Sequence, residues 1–226
     1  MDEALHIVWS RIWGASIPLH RGESGAAGTE LAAVAALADQ VGELPAQIAR
    51  LGFLALGEWR EGRHDAALKH ANSSLDLMKR TEWLTAPHAY DGFAATTRVW
   101  LAALERSRSE PIGASPQAIQ RGAHRACRSM SRLARSVGIA RPRQHQAWGL
   151  YYALTGKGRR AMRHWRRGLA DAERLQIPYE EALLLSAMLN HGELSAERAA
   201  TYQERAATIF ETLGAAPDLA NLDAKP

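Results

Sequence analysis

The side chains with the most chemical capacity in this chain are arginines set at helical spacing. Arg121, Arg125, Arg128, Arg132 and Arg135 step by four and three residues, so they line one stripe of a helix. Arg159, Arg160, Arg163, Arg166 and Arg167 repeat the arrangement. A guanidinium is a planar, permanently charged fork that can grip a carboxylate or a phosphate through two parallel hydrogen bonds. Such stripes could therefore hold an acidic protein or a nucleic acid. Of the 28 Lys and Arg, 13 fall between Pro111 and Ala170, where there is no Asp or Glu; the other 15 share the remaining sequence with all 24 acidic residues. The net charge of +4 thus hides a strong asymmetry. The bland alternative is two solvated faces partly paired with acidic neighbours. A nucleic-acid platform would need aromatic side chains between the charges, and neither stripe carries them.

Other reactive groups fall to simpler readings. His124 and Cys127 stand three apart and could join a base to a thiol. Cys127, however, lies on the apolar side of its helix with Ile119, Ala123, Ala126, Met130, Leu133 and Val137, and reads as a buried structural cysteine. Gly22, Gly25 and Gly28 lack the Gly-Lys-Ser/Thr ending and the preceding strand of a phosphate loop, and read as a flexible connector. Glu180 and Glu181 follow Pro178 in a first helical turn, where carboxylates favour the dipole. The nine His show no metal-binding spacing. Trp9, Trp13, Trp100 and Trp165 sit on periodic apolar faces and read as core. No metal or cofactor is expected, and a binding module is favoured over an enzyme.

The elements that must position these groups are helices. Hydrophobic residues make up 46% of the chain, its nine Pro fall mostly between periodic segments, and strand-like alternation is absent. A first helix runs from about Ala4 to Ala15 with Leu5, Val8, Trp9, Ile12 and Trp13 on one face. A second runs from an N-cap at Thr29 to Val41. Pro45 opens a third, and a fourth begins near 64. Helical pattern returns from about Ala86 to Leu104 and from Pro116 to Val137, with Pro111 to Pro116 a polar connector between them. The last four helices run from Arg143 to about Thr155, from near 158, from Pro178 to Leu189 and from Ala196 to Leu213.

Between Arg143 and Glu181 the order of residues is that of a helix-turn-helix repeat. Gly149 is small where two helices cross, Gly156 permits the turn, Ala161 follows five residues later, and Trp165 and Leu169 fill the groove. Leu51, Leu54 and Ala55, then Gly62, Ala67 and Leu75, repeat the pattern. The chain resembles a tetratricopeptide-like repeat protein. The runs His164 to Ala182 and Ala206 to Leu219 resemble, more narrowly, the C-terminal helical region of large bacterial ATPase/cyclase-type or kinase-type regulators. In that family the tail is implied to hold partners while the chemistry lies in domains for which this sequence has no counterpart.

The resemblance implies an all-α, tetratricopeptide-like α-solenoid of about five antiparallel helix pairs. It would form a single domain over 1-226: an N-terminal capping pair at 1-44, degenerate repeats at 45-213 and a polar tail at 214-226. First helices of such repeats line a concave groove, which names Trp59, Arg60, Tyr90, Arg143, Gln146 and Asn190 as candidate contacts for a protein or peptide partner. The arginine stripes belong to second helices and would lie on the convex side. The expected function is a protein-protein interaction scaffold or regulatory module. The alternatives are a small-ligand sensor or enzyme using a pocket in the array, and nucleic-acid binding through the Arg-rich face. One cysteine excludes an intramolecular disulfide, no leader-like start is evident, and no apolar run reaches the roughly 20 residues of a membrane span. These features point to a soluble cytoplasmic protein. Oligomeric state stays open.

Overall fold

The computed structural model describes residues 2–80 and 87–223. Among them are twelve α-helices, 86% of the structure, and no strand, so the all-α expectation holds. The expected start near Ala86 and the last residues of the tail lie outside the described residues. The chain groups into two compact units, Met1–Val137 and Gly138–Pro226.

The first unit holds α1 (Asp2–Arg21), α2 (Ser24–Ala33), α3 (Ala35–Val41), α4 (Leu44–Arg60), α5 (His64–Arg80), α6 (Tyr90–Arg106) and α7 (Pro116–Ser136). Helix α4 is its hub, packing on α1, α2, α5 and α6, while α5 and α6 carry α7. The second unit holds α8 (Arg141–Leu154), α9 (Gly158–Leu175), α10 (Pro178–His191), α11 (Ala196–Thr212) and α12 (Ala216–Asp223). Here α8 and α9 form a hairpin, α10 lies against both, and α11 and α12 follow in turn. Its core is built on Trp165, Leu184, Leu185, Met188 and Phe210.

The two turns foreseen from glycine have the same geometry. Gly62 and Gly156 sit at φ 78° and 77°, where a side chain would be strained. In each, the glycine N–H donates three residues back and the next N–H five residues back, which satisfies carbonyls left open at the helix end. The crossing at Gly149 also stands: a Cβ there would overlap the indole of Trp165, which is fully buried. Ala67 and Ala161, the small residues five beyond each turn, are fully buried too.

Five local expectations are corrected. Helix α1 continues past Ala15 and through Pro18 to Arg21, because buried Leu19 anchors its last turn and Arg60 donates to the Leu19 carbonyl. Gly22, at φ 87°, is the turn, whereas Gly25 and Gly28 lie inside α2 and form no connector. Thr29 is therefore no cap; its hydroxyl donates to the Gly25 carbonyl within the helix. Trp13 is half exposed, since it falls beside the α1 core stripe of Val8, Ile12, Ala15 and Leu19. Finally, the tail includes α12, which buries Ala215 and Leu222 and is tied to α10 by the Tyr179 hydroxyl donating to Asp218 at 2.9 Å.

Candidate functional site

Helix α9 has two chemically opposed sides. Ala161, Trp165, Gly168 and Ala172 recur at three- and four-residue spacing and are buried against α8 and α10. Arg159, Arg160, Arg163, Arg166 and Arg167 occupy the other side, all exposed, and among the described residues none has a carboxylate within 4.0 Å. The start of the helix sharpens the imbalance. Lys157 is its N-cap without a side-chain cap bond, and no acidic residue stands in the first turn. Cations at that end oppose the helix dipole.

Beside this stripe α8 contributes aromatic rings. Trp148 and Tyr152 stack with centroids 5.5 Å apart, and Tyr152 also meets the His164 ring at 5.4 Å. Lys157 and Arg160 each approach the Tyr152 ring to 5.9 Å, within cation–π range. Charges and aromatics are thus interleaved across two helices, although neither helix shows this alone. The signal was present in the sequence as two matching series, Arg141, His145, Trp148, Tyr152 on α8 and Arg160, His164, Arg167, Asp171 on α9. Each steps by four, three and four residues, and antiparallel pairing brings them face to face.

At the centre of that seam His145 Nδ1 and His164 Nδ1 lie 3.1 Å apart, so one ring donates to the other. Burial pushes His164 down to about 4, helped by His145, Arg167 and Arg163. Burial also lowers His145, with Arg167 and Arg141 adding to the effect and Asp171, at 4.0 Å, opposing it. Both rings are neutral at pH 7. The surrounding arginines make the seam a poor place for a metal cation, and the described residues hold no cluster of three or more metal-ligating side chains.

The chain matches no protein-family model and no curated protein. The reading of the site rests on its geometry.

The groove candidates are mostly occupied by the fold itself. Arg143 is buried, 2.7 Å from Glu180, and stacks over Tyr179 at 5.6 Å. That corrects its expected place on an open surface. Arg60 holds the Leu19 carbonyl, and Trp59 stacks on His64 with centroids 4.3 Å apart. The Gln146 carbonyl accepts from the Trp165 indole at 3.3 Å. Tyr90, Gln146 and Asn190 are half-buried. Glu180 and Glu181 do more than favour a helix dipole, since Glu181 pairs with Arg205 at 2.5 Å just as Glu180 pairs with Arg143.

The α7 stripe differs from that of α9. Arg121, Arg128, Arg132 and Arg135 are exposed, but Arg125 binds Asp76 at 2.8 Å and Arg132 donates to the Ser129 hydroxyl. Burial works against the Asp76 carboxylate, yet Lys79 and Arg125 hold its pKa below the usual value. On the inner side of α7 Cys127 is fully buried and its thiol is pushed far above the ordinary range by that burial, which removes it as a nucleophile.

Proposed function

We propose that the chain is a tetratricopeptide-like helical-repeat module that binds an acidic protein or peptide partner, with α9 as the contact helix. The observation that carries this reading is the uncompensated row Arg159, Arg160, Arg163, Arg166 and Arg167. Arginines satisfied within the fold would add nothing to binding, whereas five exposed forks on one rigid helix can take carboxylates in pairs. The half-buried Tyr90, Gln146 and Asn190 are secondary contacts in this reading, and Trp59, Arg60 and Arg143 serve the fold. A second reading, single-stranded nucleic acid, is favoured by Tyr152 with Lys157 and Arg160 over its ring.

The test is titration of the protein with an oligoglutamate peptide and with a single-stranded oligonucleotide of equal charge. Oligoglutamate should bind in a salt-sensitive manner, and Arg163→Glu with Arg167→Glu should weaken it at least about tenfold, roughly 1.4 kcal/mol. Tighter binding of the oligonucleotide, lost on Tyr152→Ala, would establish the second reading instead. Failure of both ligands to bind would end both.

A further inference from the structure

Helix α1 buries Val8, Ile12, Ala15 and Leu19 and turns Ile7, Trp13 and Ile17 to solvent, 46, 50 and 57% exposed. These are three of the five large hydrophobics that the described residues leave exposed. Ser10 and Gly14 lie between them, and no atom stands within 4 Å of where a Gly14 Cβ would be. The open space continues into a partly polar cavity of about 540 Å³ between α1 and α2, whose walls include Gly14, Ile17 and Ala26 and also the charged Arg11, Arg21 and Glu30. An apolar face of this kind on an otherwise charged surface marks an interaction site.

We propose that this face docks a second copy of the chain, α1 lying antiparallel to α1 about a twofold axis. The pattern of the helix is complementary to itself in one register. A twofold axis set midway along the helix, at Ile12, places Ile7 opposite Ile17 of the second copy and Ser10 opposite Gly14, so apolar meets apolar and small meets small. The same register sets Glu3 against Arg21, and this match occurs twice because the interface is isologous. All these residues fall on the outward side of the helix at 100° per residue. A parallel arrangement does the reverse, bringing Glu3 to Glu3 and Arg21 to Arg21. One helix pair buries less than the roughly 1,200 Å² of a stable interface, so the dimer should be weak and concentration-dependent.

Sedimentation across a concentration series tests the association, and charge exchange tests the register. The wild type should shift toward dimer as concentration rises. Trp13→Glu with Ile17→Glu should weaken that association at least tenfold without loss of helical signal. Arg21→Glu should also weaken it, and adding Glu3→Arg to Arg21→Glu should restore it. Cross-linking adds a geometric readout, because Cys127 is buried and silent. A short bis-maleimide should join Ile7→Cys protein to Ile17→Cys protein, and should not join two Ile7→Cys molecules, whose positions would be about 15 Å apart. A wild type that stays monomeric, no rescue by the charge exchange, or efficient Ile7→Cys self-linking would each overturn the proposal.

Discussion

Helices α7 and α9 each carry a row of five arginines, and each crosses its hairpin partner at a tryptophan set over a glycine. The roles are exchanged, however. In the first unit Trp100 belongs to the first helix of the pair and covers Gly122 of α7, while in the second Trp165 belongs to α9 and covers Gly149 of the first helix, α8. The polar ends differ too: the Trp165 indole donates to the Gln146 carbonyl, but the buried Trp100 indole finds no hydrogen-bond acceptor among the described residues. On the outside, Arg125 and Arg132 of α7 engage Asp76 and Ser129, whereas among the described residues Arg159, Arg160, Arg163, Arg166 and Arg167 of α9 have no carboxylate within 4.0 Å. A helix pair can therefore keep its packing device while the position of that device, and the charge balance around it, change independently.

Substitution at the tryptophans tests this contrast at the largest scale. Trp165→Ala should cost about 3 to 5 kcal/mol, read as the loss of denaturant stability, through lost burial and the cavity left behind. Trp165→Phe should cost more than Trp100→Phe by about 1 kcal/mol, because only Trp165 forfeits a hydrogen bond. Equal costs would mean that the indole donors are energetically alike and would erase the distinction.

Buried and exposed ion pairs should separate as strongly. Glu180→Ala leaves Arg143 charged and buried, and should destabilise by about 3 to 5 kcal/mol in urea unfolding. Asp76→Ala breaks the half-exposed pair between α5 and Arg125 of α7 and should change stability by at most about 1 kcal/mol. A large Asp76 effect would show that the α7 stripe is knit into its unit more tightly than its exposure indicates.

A pH series probes the histidine seam, which has no equivalent on α7. His164 is depressed from 6.5 to about 4 in the folded state, so it contributes stability that is complete above about 6.5 and is lost as pH falls toward 4. The unfolded chain takes up the proton first in that window, and the folded chain resists it. The melting temperature should fall between pH 6.5 and 4 in the wild type, and less steeply in His164→Asn.

The smallest expected effect concerns Gln176, the one non-glycine residue with positive φ among the described residues. Gln176 ends α9 at φ 55°, where Gly62 and Gly156 serve elsewhere. Gln176→Gly should raise stability by up to about 1 kcal/mol in the same urea assay.

Much of the fold was legible because burial at helical spacing leaves a regular trace. Gly62, Gly156, Gly149 and Trp165 were readable from type and spacing alone, as was the inner stripe of α7. The α1 terminus was not, since Pro18 is a helix breaker by local rules and only burial of Leu19 and the reach of Arg60 override it. The site was half legible. The arginines announced themselves, but whether each would meet a carboxylate depends on helices distant in sequence. The aromatic seam is not visible in either stripe alone, because its rings stand on α8 and its charges on α9. Arg143 was assigned to a surface because its partner, Glu180, lies on a different helix.

The neutral His145 and His164 have a consequence for binding itself. Their low basicity is due first to burial, but Arg167 adds to it in both rings and Arg163 in His164, and those two cations are the ones an acidic partner would neutralise. An anion seated there removes part of the field that keeps protons away, so the rings would draw hydrogen ions from solution as the complex forms. Association would then consume protons and tighten in acid, which calorimetry in buffers of different ionisation heat would reveal as a heat that depends on the buffer.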